Sequence, residues 1–188
     1  MEAQLIPYSC TNYRNLLSYQ KAEAIFDITF YFCQHFLSKG DRTVDQMIQA
    51  ARSGKQNIIE GCAATSTSIE TGIKLINVAK ASMQELLADY EDYLRTRNHE
   101  QWPEHSEKWK AMRQVGIKHN DSSYYMKLIS TRPAETIANI TIILIKQTDY
   151  LLYKQLKTLS KKFLAEGGFK ERMTRMRIEE REKRKHKQ

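Results

Sequence analysis

The chain predicts an all-α fold: an up-and-down four-helix bundle with a long insertion between its third and fourth helices and a basic C-terminal extension. Three observations carry this expectation. Only seven Gly and three Pro occur in 188 residues, which leaves little punctuation for a sheet-rich fold. Apolar residues recur at three- and four-residue spacing through four long segments, and helix start and stop signals stand between them. With 41% hydrophobic and 28% charged residues, the length suits one sizeable core.

Residues 1–16, with Pro7 and the polar run Ser9-Cys10-Thr11-Asn12, read as an irregular lead-in. A first helix is expected over 18–37, because Ala22, Ile25, Phe26, Thr29, Phe30, Cys33, Phe36 and Leu37 fall on one face. Ser38-Lys39-Gly40-Asp41 supplies the turn. Asp41 or Thr43 can cap a second helix over 42–60, with Val44, Met47, Ile48, Ala51 and Ile58 inward and Gly61 as its terminating glycine. Thr67-Ser68-Ile69-Glu70 has the spacing of another capping box, and Ile69, Ile73, Ile76, Ala79, Met83, Leu87, Tyr90 and Leu94 make one continuous stripe. The pattern breaks over 98–132, where Trp102-Pro103, Gly116 and His119-Asn120-Asp121-Ser122-Ser123 predict a long connection with one or two short helices. Pro133 opens a fourth long helix whose stripe runs from Ile137 to Phe163, and Gly167-Gly168 closes it. The bundle thus spans 17–166, and residues 167–188 form a tail expected to be helical only when docked.

The net charge is +8, and the last twenty residues alone hold nine Lys/Arg against four Asp/Glu. A cationic end of this kind suits nucleic acid or another acidic surface. Cys10, Cys33 and Cys62 are odd in number and contain no CxxC pair, which predicts reduced thiols rather than a disulfide framework or a zinc site. No signal peptide is visible, and the most apolar window, 137–152, is interrupted by Asn139, Lys146, Gln147 and Asp149. A cytoplasmic protein without a membrane partner is expected.

Catalytic constellations are missing from the sequence. A di-iron bundle needs Glu-x-x-His turns, yet Phe32, Thr96, Trp102, Gly116 and Lys183 stand three residues before the five histidines. Arg52-Ser53-Gly54-Lys55-Gln56 has Gln49 and Gln56 where a phosphate loop requires Gly and Ser or Thr. No Ser or Cys sits in an elbow-like turn beside a histidine. The reading is a non-enzyme with no cofactor and no metal.

The segment from Ala50 to Gly61 is the most telling. Its small residues Ala50, Ala51, Ser53 and Gly54 suit close packing against a neighbouring subunit, and Arg52 and Lys55 offer cations on one helix face. Together with Ala50-Ala51, the run Asn57-Ile58-Ile59-Glu60-Gly61 and the third helix bearing Glu85-Leu86 and Tyr90, it resembles the bacterial four-helix-bundle proteins encoded in intervening sequences of large-subunit ribosomal RNA genes. The same family includes the accessory variability protein of diversity-generating retroelements. The resemblance covers 17–94 plus the fourth helix. It departs at Gly54 and Lys55, where relatives often carry an apolar residue and then Pro, and in the long insertion; the tail from Glu166 to Met173 resembles the suffix of one subgroup.

That resemblance implies a ring-like homo-oligomer, typically a pentamer, with no catalytic activity, and retroelement relatives that bind nucleic acid and a reverse transcriptase. The expected function is binding of RNA or DNA through Arg52, Lys55, Arg172, Arg175, Arg177, Arg181, Lys183, Arg184 and Lys185, by phosphate neutralisation and counterion release. The alternative is a protein-interaction scaffold whose tail grips an acidic protein partner.

Overall fold

The computed structural model describes residues 12–38 and 40–185, and among them every regular element is helical. Pro7 and Cys10 of the expected lead-in lie outside the described residues. A single 3-10 turn, Tyr13–Asn15, precedes α1 (Leu17–Phe36), α2 (Arg42–Ala64), α3 (Ile69–Thr96), α4 (Glu107–Lys118), α5 (Ser122–Ile129), α6 (Ala134–Glu166) and α7 (Phe169–Lys185).

Local chemistry places the boundaries. Asp41 accepts from the Thr43 amide at 2.9 Å and starts α2, and Ser68 accepts from the Thr71 amide at 3.2 Å and starts α3. The second of these caps lies one residue later than the capping-box spacing predicts. Gly61 does not end α2. It lies inside the helix, where a Cβ would meet Ile76 Cδ1 at 2.9 Å, so this glycine serves close helix approach instead of a left-handed cap. Pro133 is the cap of α6 and Ala134 its first residue. Gly167, at φ +78°, terminates α6 in the backbone region that glycine enters freely.

α1 packs on α2 and on α6, and α3 packs on the same two helices. The core lies between these four, with Phe32, Tyr90 and Tyr93 in edge-to-face contact at ring distances of 5.1 and 4.8 Å. Tyr90 donates its buried hydroxyl to Thr29 Oγ1 at 3.1 Å, tying α3 to α1.

The segment expected as a loose connection is folded onto the body. α4 lies on α6, and α5 lies on α1. Asn139, an interruption in the apolar stripe of α6, is the anchor: its Oδ1 accepts from the Trp102 amide at 2.7 Å and its Nδ2 donates to the Glu100 carbonyl at 2.9 Å. A buried amide is stable only when so satisfied. Cys62 is disulfide-bonded, which corrects the expectation of three reduced thiols; Cys33 is a free, buried thiol. Among the described residues no helix is long and apolar enough to cross a membrane.

Candidate nucleic-acid interface

The net charge of this chain is concentrated at one end. Residues 150–188 hold thirteen Lys/Arg and five Asp/Glu, a net +8 that equals that of the whole chain, while residues 1–149 balance at seventeen of each. Residues 1–168 carry a net +3, all of it contributed by residues 150–168.

Within the basic end the second half of α6 is the part packed on the core. Lys154, Lys157 and Lys161 recur at i, i+3 and i+7, so they share one face with Tyr150. Leu152 is buried and Leu156 and Leu159 pack on the core from the opposite side, which turns the lysine face outward. Tyr150 is 58% exposed and Tyr153 51%, and the Lys154 ammonium lies 5.7 Å from the Tyr150 ring centre. No Asp or Glu occurs between Tyr150 and Ala165. From Tyr150 to Lys161 the ridge is roughly 16 Å long at helical rise. Cations spaced along a helix meet phosphates, and exposed aromatic faces between them meet unpaired bases.

α7 extends the charge. It is helical and makes little contact with the body. Arg175, Arg177, Arg181, Lys183 and Arg184 are exposed, and Lys185 ends the helix. Arg184 is partly engaged, its Nε 3.4 Å from Glu180. Arg172 departs from the expected set. Its guanidinium turns back to Glu166, at 3.6 Å, and to the Thr67 carbonyl, at 3.5 Å, which leaves its side chain 19% exposed. It anchors the root of α7 on the turn between α2 and α3 instead of presenting a free cation.

Arg52 and Lys55 stand apart from this end. Arg52 is exposed on α2, while the Lys55 ammonium lies 4.1 Å from the Phe26 ring centre, in a cation–π contact with α1. About 18 Å of helix separates Arg52 from the end of α2, near where Arg172 anchors. Arg52 and Lys55 therefore lie apart from the tail cations.

The small residues of α2 are also differently employed. Ala51 and Gly54 are buried against α3; a Cβ on Gly54 would stand 2.5 Å from Met83 Cε. Ser53 Oγ lies 2.9 Å from Ser82 Oγ, and Ala50 is buried in the same seam. Close approach is realised within one chain at Ala51 and Gly54, while Ser53 is half-buried and with Ala50 borders a surface depression. Small residues show that something comes near, and a sequence does not distinguish a neighbouring helix from a neighbouring molecule.

Among the described residues no three His, Cys, Asp or Glu side chains gather in a way that could hold a metal ion. Lys154, Lys157 and Lys161 are the functional candidates that sequence reasoning passed over. Their signal was the absence of acid across 150–165, opposite the apolar stripe. No family model, no curated protein and no solved structure matches this chain.

Proposed function

We propose that the protein is a non-enzymatic nucleic-acid-binding factor, built as an up-and-down four-helix bundle from α1, α2, α3 and α6, with α4 and α5 as the insertion between its last two helices. The second half of α6 and α7 form the binding surface. One observation carries the reading: the whole net charge lies in residues 150–188, on exposed helix that also carries Tyr150 and Tyr153. Such a surface favours flexible single strands over base-specific readout of a duplex, because lysines at helical spacing address phosphate and tyrosines stack on any base.

The test is fluorescence anisotropy with a labelled single-stranded oligonucleotide across a salt series. Affinity is expected to fall steeply with salt, and replacing Lys154, Lys157 and Lys161 by Gln together is expected to reduce the log–log slope by about 2. A flat salt response, or binding unchanged after deletion of residues 169–188, contradicts the proposal.

A protein-docking role is favoured by one further feature. Phe169, Met173 and Met176 recur at i, i+4 and i+7 on α7 and are exposed, so the tail presents an apolar stripe to an acidic partner. Replacing these three by Ser would abolish that role and leave oligonucleotide binding intact.

Ring assembly as a pentamer and engagement of a reverse transcriptase come to this proposal through the resemblance alone. Ala51 and Gly54 already pack inside the chain, whereas Ala50 and Ser53 border the surface, and light scattering at micromolar concentration reads assembly directly. A cytoplasmic location belongs to the same reading. Thiol alkylation of protein taken from cells reports the redox state that goes with it.

A further inference from the structure

A cavity of about 390 Å³ opens between α1, α4 and α6, in the size range of small-molecule sites. Its walls are largely apolar, with Leu17 from α1, Trp109 and Ile117 from α4, and Ile143 and Leu151 from α6. One buried cation also lines it. Lys21 is only 4% exposed, and its ammonium donates to the Gly116 carbonyl in the last turn of α4.

That single hydrogen bond leaves the lysine unfinished. An ammonium has three donors, and among the described residues no Asp or Glu lies within ion-pair distance of Lys21. Helix C-terminal carbonyls favour a cation, but they do not neutralise one held away from water. Gln147 in the same wall gives an anion no donor, since its Nε2 is already used on the Arg113 carbonyl at 2.8 Å, so charge selection falls to Lys21.

The remaining charged groups of the lining are cations too. Arg113 has its guanidinium 5.6 Å from the Trp109 ring centre, and Lys146 is paired with Glu104 at 3.1 Å. No acidic side chain lines the cavity. An occupant with a positive charge is disfavoured, and an occupant with no charge leaves Lys21 uncompensated. A multiply charged phosphate calls for several convergent donors, whereas here Lys146 is held by Glu104 and Arg113 lies by Trp109, which leaves Lys21 as the one buried cation in a largely apolar lining.

We propose that this cavity binds a small amphiphilic monocarboxylate, with its carboxylate on the Lys21 ammonium and its apolar body against Leu17, Ile117 and Ile143. The cavity borders the lysine face of α6, with Tyr150 lining both, and includes no residue of α7; its case rests on Lys21 and the apolar walls and not on the nucleic-acid reading. A buried ammonium supplies charge selection, and the hydrocarbon walls supply most of the affinity.

Titration calorimetry of the full chain with octanoate and with octanol tests it. Octanoate is expected to bind tighter than octanol by roughly tenfold or more, the effect of one charge-assisted hydrogen bond. Lys21→Met is expected to lower octanoate affinity to that of octanol. Ile117→Trp, which fills the mouth at an exposed position, is expected to weaken both ligands and keeps the test decisive should Lys21→Met fail to fold. Replacing Arg175, Arg177 and Arg181 by Gln should leave octanoate binding unchanged. Equal affinity for the two ligands, no binding of octanoate at millimolar concentration, a preference retained in Lys21→Met, full affinity retained in Ile117→Trp, or binding lost with the tail arginines would overturn the proposal.

Discussion

Lys21 is the residue whose environment most opposes its chemistry. Burial lowers its ammonium from the ordinary 10.5 to about 8, because the charged form loses hydration. The folded chain therefore holds fewer protons than the unfolded chain between those values, and stability rises with pH through this window. The penalty is fully present at pH 7 and is relieved as pH climbs past 8. Opposing groups enter higher up: burial pushes the Cys33 thiol from 9.0 to about 12 and raises the Tyr90 and Tyr125 hydroxyls, so each costs stability once its unfolded counterpart ionises. Denaturant unfolding should show stability increasing by about 1 kcal/mol between pH 8 and pH 9, and Lys21→Met should be more stable at pH 7 and lack that rise. An identical slope in the variant would contradict the assignment. Gly54 poses the opposite problem, since the space is apolar and full. Gly54→Ala should be near neutral, because the helix-propensity gain of about 1 kcal/mol offsets moving the flexible end of Met83. Gly54→Leu should cost about 1–3 kcal/mol by overpacking, with part of the loss recovered by Met83→Ala. The same loss at every protein concentration marks a seam within one chain; a dependence on concentration would restore the subunit-interface reading.

At the scale of the element, α7 is a helix held only at its root. Arg172 reaches Glu166 and Thr67, and beyond it the exposed apolar residues find no body to cover them. Amide exchange in α7 should therefore be fast while the interiors of α3 and α6 stay protected, and Arg172→Ala should change the unfolding midpoint little. Slow exchange along α7 would place it against a surface. Four of the helices were legible in advance because their apolar stripes hold one periodicity over many turns: α1 and α3 fall within one residue of expectation. α2 overran its predicted end because Gly61 was read as a cap, and a sequence cannot distinguish a glycine that frees φ from one that admits a neighbouring side chain. α5 had no stripe of its own to announce it. Its burial comes from Tyr125 and Ile129 lying on α1, a long-range fact absent from any local window. The candidate site was half legible. The tail cations were visible as composition, but the inward turn of Arg172 and the outward lysine face of α6 follow from which side of each helix the core takes.

Across the whole molecule the chain divides into a charge-neutral body and a basic end that carries all of the +8. Burial and charge are thereby separated: the body folds through apolar contact, and the end remains free to meet a polyanion without the body's own acids competing for its lysines. Two independent readouts follow from that division, stability governed by the core and binding governed by residues 150–188. The salt dependence of single-strand binding, compared between the natural chain and the Lys154, Lys157 and Lys161 triple Gln variant, tests this most directly. The account predicts a steep slope that the variant reduces by about 2 while its unfolding midpoint is unchanged. A slope that is flat, or that is the same in both proteins, would contradict it.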